Sequence, residues 1–180
     1  MFAVRVAVQT RSLRQPLKQA LLTCGALECD GVQIDARSEL RPAELSDTGV
    51  RQVRKLLDDL NLRVGSVTFA SRRGFAEAED LERRLAAAVD ALRMASRLGC
   101  RTAVVAIGTA PAPEAPEHAT LLESLTALAA AGGRLGVTPA LSAVDVEPLP
   151  LRDLVDRLPA GLAGVDLNPS DLVRQGHSPV

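Results

Sequence analysis

Residues 31–70, GVQIDARSELRPAELSDTGVRQVRKLLDDLNLRVGSVTFA, constrain this chain more than any other stretch. Val32 and Ile34 belong to a short apolar run that stops at Asp35, and a polar loop containing Pro42 follows. Ser46 then precedes Val50, Val53, Leu56, Leu57 and Leu60, a spacing that lays one apolar stripe along a helix of period 3.6. Ser46 suits the N-cap, and Asn61 suits a left-handed stop. Val64, Val67 and Phe69 return to an extended, buried pattern. A strand, a crossover helix and a strand predict a parallel pair with a right-handed connection.

The rest of the chain repeats this unit. Phe2–Val8 predicts a first strand, followed by a helix from Pro16 with Leu17, Ala20, Leu21 and Cys24 inward. Residues 77–98 predict a third helix with Leu81, Leu85, Val89, Leu92 and Ala95 on one face. Glu77, Glu79 and Asp80 are expected in its first turn, where negative charge suits the helix dipole. TAVVAI at 102–107 predicts a β-branched strand. The Pro-rich segment 109–117 predicts a loop, and Leu121, Leu122, Leu125 and Leu128 a helix that Gly132–Gly133 ends. Residues 136–143 predict a fifth strand, weakened by Pro139. A short helix at Leu151–Leu158 and a sixth strand over 161–167 complete the alternation. The expectation is a single α/β domain over 1–180 with a parallel sheet, either open or part of a closed barrel.

Composition narrows the function classes. The chain has 180 residues, 47% hydrophobic and 24% charged, enough for one real core. A net charge of −1, with no Trp or Tyr, argues against nucleic acid or membrane as a partner. Cys24, Cys29 and Cys100 lack C-x-x-C spacing and suit reduced thiols in a cytoplasmic protein. No G-x-G-x-x-G or phosphate-loop motif follows any predicted strand. No serine sits in a G-x-S-x-G context, so nucleophilic hydrolysis has no support.

Three segments carry a family resemblance: GVQIDAR at the second strand, SVTFASRRGF after the third, and GVDLNPSDL with Gly176, Ser178 and Pro179 beyond it. In their order and spacing the chain resembles the sugar phosphate isomerase/epimerase family, the xylose isomerase-like TIM barrels. The resemblance implies a TIM-barrel-like α/β repeat of about six of eight units, an incomplete barrel with its site at the carboxyl ends of the strands. It also implies aldose/ketose isomerisation or epimerisation, in which a divalent metal (Mn, Mg or Zn) polarises a carbonyl while a carboxylate moves a proton. The family's strand-five glutamate falls on Leu141 and its strand-six aspartate on Asn168, and the last two ligand-bearing strands lie beyond the chain. A catalytic metal needs about three protein ligands. The expectation is therefore that no metal is bound and that activity is lost or weak, unless Asp145 and Glu147 act as loop-borne substitutes.

Individual residues follow from that face. Asp35, at the end of strand two, is either a loop-capping carboxylate or the acid–base group. Arg11, Arg37, Arg72 and Arg73 lie just past strand ends and, with Asn168, are the candidates for holding a sugar or sugar phosphate. Ser170 and Asp171 suit a turn and helix cap beside Asn168. His118 is expected at the surface near a helix start, and His177 is too distant to complete a metal set with it. An unclosed barrel with an apolar interior predicts a homodimer covering the open edge. The alternatives are a non-catalytic protein that binds an anionic sugar or a partner, and a truncated gene product.

Overall fold

The computed structural model describes residues 5–143, 148–174 and 176. Six strands run in the order β1-β2-β3-β4-β5-β6, and every neighbouring pair is parallel. They are β1 (Ala7–Gln9), β2 (Gly31–Asp35), β3 (Arg63–Ala70), β4 (Thr102–Gly108), β5 (Thr138–Ala143) and β6 (Gly164–Val165). Helices α1 (Leu17–Ala26), α2 (Asp47–Asp59), α3 (Leu81–Arg97), α4 (Pro116–Leu135) and α5 (Pro148–Asp156) connect them, and α6 (Pro169–Arg174) follows. The sheet is open, with β1 and β6 at its edges: a TIM-barrel-like fold, consistent with an incomplete barrel.

Four of the crossovers are built on one local rule. Helix α2 ends with Asn61 at φ 54°, the Leu62 amide reaching the Leu57 carbonyl and the Asn61 amide reaching Asp58. That is the Schellman motif, in which one left-handed residue lets the chain turn back and satisfy two orphan carbonyls. Glu28 after α1, Gly99 after α3 and Gly136 after α4 are the equivalent left-handed residues, with the same pair of bonds. In each case the next strand starts within three residues. At the other end of α2, the Ser46 hydroxyl accepts the Gly49 amide at 3.1 Å, as expected of an N-cap.

The two sheet faces differ in chemistry. Val67, Phe69, Ala103, Val105, Ile107 and Leu141 pack with the inner faces of α3 and α4 in the larger core. Val32 and Ile34 pack with Leu21, Cys24 and Leu57 in the smaller one. Side chains alternate along a strand, so the residues between them line the opposite face. The register aligns Gln9, Gln33 and Ser66 across three strands, with Thr68, Val104 and Ala140 in a neighbouring row. Gln9 Nε2 donates to Gln33 Oε1 at 3.1 Å, and Gln33 Nε2 to Ser66 Oγ at 2.8 Å. This face is not the uniformly apolar interior expected: amides and hydroxyls stand on it beside Val104 and Ala140.

Several element boundaries also differ. β1 spans Ala7–Gln9, and residues 2–4 of the expected strand lie outside the described residues. α3 starts at Leu81, because Asp80 takes a left-handed conformation (φ 53°) and puts Glu77 and Glu79 in the loop. α4 continues through Gly132–Gly133 to Leu135. There the missing side chain at Gly132 is required, since a Cβ would stand 2.4 Å from the Val137 carbonyl oxygen. β6 is only two residues long, and Pro139 lies one residue before its pairing with β5 begins. Among the described residues, no helix is long and apolar enough to cross a membrane.

Candidate functional site at the carboxyl ends of the strands

β2 ends at Asp35, whose residue is only 3% exposed. Its Oδ1 accepts the amides of Arg37 (2.9 Å) and Ser38 (2.7 Å) and the Ser38 hydroxyl (2.9 Å). Its Oδ2 lies 3.3 Å from Arg11 Nη1. Burial pushes the Asp35 carboxyl up, but the Ser38 and Arg37 amides, the Ser38 hydroxyl and the Arg11 charge outweigh it and hold it below the usual carboxylate range. A carboxylate engaged in this way anchors the loop after β2.

Glu39 completes this corner, and sequence reasoning did not single it out. Its Oε2 accepts the Asp35 amide at 2.9 Å and lies 2.7 Å from Thr10 Oγ1. Thr10 is fully buried, and its hydroxyl also lies 2.8 Å from the Gln33 carbonyl, so one proton serves two acceptors. Glu39 Oε1 is buried without a partner among the described residues. The only sequence signal was its position four residues past the strand-ending Asp35.

The arginines share the carboxyl-end face but are differently engaged. Arg11, just past β1, is 63% exposed and bound to Asp35. Arg37 Nη1 donates to the Ala70 carbonyl at the end of β3, at 2.8 Å, and so ties two strand ends together. Arg73 is held by Glu79 and by Glu77, the latter at 3.6 Å. Its charge is met by its own loop, in a site that sequence reasoning left open for phosphate. Arg72 is exposed, and no ion pair engages it among the described residues.

At the far side, the register corrects the strand-five assignment. Leu141 is 1% exposed and packs with the helices. Ser142 is the side chain at the end of β5 that shares the inner face. It hydrogen-bonds Asp166, just past β6, whose amide reaches the Leu141 carbonyl at 2.9 Å. Burial pushes the Asp166 carboxyl above its ordinary range, partly offset by that hydroxyl. Asp166 was also missed by sequence, where Asn168 drew the attention. Asn168 Oδ1 accepts the Ser170 amide (3.1 Å) and hydroxyl (2.7 Å), and its carbonyl accepts Leu172, which makes it the N-cap of α6. His118 is buried rather than at the surface: it is 9% exposed, and Nδ1 meets the Pro111 carbonyl at 3.1 Å. Asp145, Glu147, His177, Ser178 and Pro179 lie outside the described residues.

Residues 22–159 match the family model described as xylose isomerase-like TIM barrel. The chain belongs to this family. The resemblance read from the three sequence segments is thus borne out. Among solved structures, a xylose isomerase domain protein from Planctomyces limnophilus superposes with TM-score 0.80 at 17% identity, over 87% of this chain and 61% of its own. A xylose isomerase-like TIM barrel protein from Mycobacterium smegmatis, in complex with magnesium, gives 0.71 at 18%, over 90% and 59%. A D-psicose 3-epimerase crystallised in the presence of D-fructose gives 0.81 at 13%, over 97% and 67%. The chain therefore spans about three-fifths of the length of the first two. No protein of curated function matches the sequence.

The family implies a divalent metal, and the described donors do not fit one. Among the described residues, no three His, Cys, Asp or Glu side chains come together as ligands. The ends of β5 and β6 offer a neutral hydroxyl at Ser142, a single carboxylate at Asp166 and a carboxamide occupied in capping at Asn168. Neutral oxygens leave a bare dication poorly compensated in a partly desolvated pocket.

Proposed function

We propose that this protein is a sugar isomerase/epimerase relative in which metal-assisted proton transfer is lost or weak, and that the carboxyl-end face retains a site for a sugar or sugar phosphate. The observation that supports this reading is the neutral Ser142 at the inner-face end of β5, with Asn168 spent in capping α6, where the resemblance calls for acidic ligands. The inner face suits a polyol, since the Gln9–Gln33–Ser66 row presents donors and acceptors in register. If proton movement between adjacent carbons survives, Asp166 is the carboxyl beside Ser142 that burial raises above its ordinary range.

The deciding experiment is calorimetric titration of the purified chain with Mn²⁺, Mg²⁺ and Zn²⁺, alongside a 3-epimerisation assay on D-fructose and D-psicose. No stoichiometric binding and no turnover by a well-folded sample is the expected result. Tight one-to-one binding with metal-dependent turnover overturns it and brings Asp145 and Glu147 forward as ligands. A second reading, a non-catalytic anion-binding protein, rests on Arg72, the exposed arginine of this face that its own loop does not neutralise. In that reading a sugar phosphate binds without metal, and Arg72→Ala weakens it.

A further inference from the structure

The four Schellman turns differ in one respect. Each motif brings two side chains together, that of the residue whose carbonyl accepts the outer bond and that of the residue whose amide donates it. After α2 these are Leu57 and Leu62, both in the smaller core. After α3 they are Ala95 and Cys100, and after α4 Gly132 and Val137. After α1 they are Cys24 and Cys29, with the Cys29 amide 3.3 Å from the Cys24 carbonyl and the Glu28 amide 3.1 Å from Gly25. The other three turns bring at most one thiol to this contact, Cys100 after α3, whereas the first makes it with two.

We propose that Cys24 and Cys29 are a redox pair that closes to an intrachain disulfide, stapling the end of α1 to the start of β2. Both are free thiols in this structure and belong to the same packed cluster. Their accessibility differs in the useful direction. Cys29 is partly exposed and meets an oxidant first, whereas Cys24 is fully buried. Burial, and then the neighbouring Cys29, push the Cys24 thiol up, which makes it the slower partner that waits for an activated sulfur.

With hydrogen peroxide as oxidant the chemistry balances. The Cys29 thiolate attacks one peroxide oxygen, the O–O bond breaks, and Cys29 becomes a sulfenic acid with release of water. Cys24 sulfur then attacks Cys29 sulfur, the S–S bond forms, the S–O bond breaks, and the departing hydroxide takes the Cys24 proton as a second water. Two thiols and one peroxide give one disulfide and two waters. Cys100, the third cysteine, faces Ala95 across its own turn and has no such partner.

The test is peroxide treatment of the whole folded chain, then alkylation of remaining thiols under denaturing conditions and tryptic mass spectrometry. Lys18 and Arg37 are the nearest tryptic sites flanking the pair, so one peptide, 19–37, carries both cysteines. The expected product is that peptide lighter by two hydrogens, unalkylated, and restored by dithiothreitol, with Cys100 still alkylated. Cys24→Ala should leave Cys29 to run on to sulfinic acid, and Cys100→Ser should behave as the parent chain. Sulfinic acid at Cys29 in the parent chain, a Cys29–Cys29 disulfide between chains, or both thiols still alkylated after treatment would each overturn the proposal.

Discussion

Gly74 holds the loop after β3 against the end of β4, and replacing it with alanine tests whether that contact sets the carboxyl-end face. A Cβ built on Gly74 would stand 2.5 Å from the Ile107 carbonyl oxygen and 3.1 Å from Gly108 Cα. Both are backbone atoms of β4, so no side-chain rotation relieves the clash. The strand and loop must separate by nearly an ångström, on the order of 0.9 Å to restore an ordinary carbon–oxygen contact. The first loss is the Phe75 amide bond to that same Ile107 oxygen, 3.1 Å long, worth about 0.5–1.5 kcal/mol net. The second is packing of Phe75, which is fully buried; overfilling such a site costs about 1–3 kcal/mol. Gly74→Ala is therefore expected to destabilise by about 1.5–4.5 kcal/mol, read as a shifted midpoint with unchanged slope in urea denaturation. Gly136→Ala is the control: it meets nothing within 4 Å and carries only its φ of 67°, a strain of about 1–2 kcal/mol. If Gly74→Ala costs under about 0.5 kcal/mol, or less than the control, the loop is not seated on β4 as argued.

Other substitutions probe the same architecture. Asp35→Asn removes a carboxylate whose folded pKa is depressed. Its contribution is present above the unfolded pKa of about 3.9 and is lost as pH falls through the lower folded value, so the variant's acid denaturation profile should be flatter on that limb. Asp166 has the opposite sign: a raised folded pKa means stability falls as pH rises from about 4 through that value, so Asp166→Asn should gain stability at neutral pH in thermal melts. Ser46→Ala deletes the hydroxyl that accepts the Gly49 amide and should cost about 1 kcal/mol in the same denaturation assay. Leu125→Ala opens the main core at a side chain 1% exposed, with an expected cost of about 2–5 kcal/mol and reduced protection of α4 amides from hydrogen exchange.

The fold was legible because its signals are local. The apolar stripe of 50–60, the Ser46 cap and the Asn61 stop each act within one or two turns of helix, and all three are observed. Alternation of such units forces parallel pairing. Boundaries failed where a contact from elsewhere intervened. Asp80 turns left-handed in a loop that carries Glu77 and Glu79 to Arg73. Gly132 stays helical because its missing side chain admits the Val137 carbonyl.

The site was only half legible. Sequence alone determined which residue types stand near strand ends: Asp35, the four arginines and the neutral Asn168. Only the tertiary structure decided what each is free to do. Strand phase gave Leu141 to the helices and Ser142 to the inner face, a one-residue difference that a period of two converts into opposite sides of the sheet. Loop closure fastened Arg73 to its own acids, filled Asp35 with donors and left Glu39 Oε1 buried and, among the described residues, unmet. Residue types and short-range spacing are written along the chain. Which charges meet depends on contacts between residues tens of positions apart, and those exist only once the sheet has set its register.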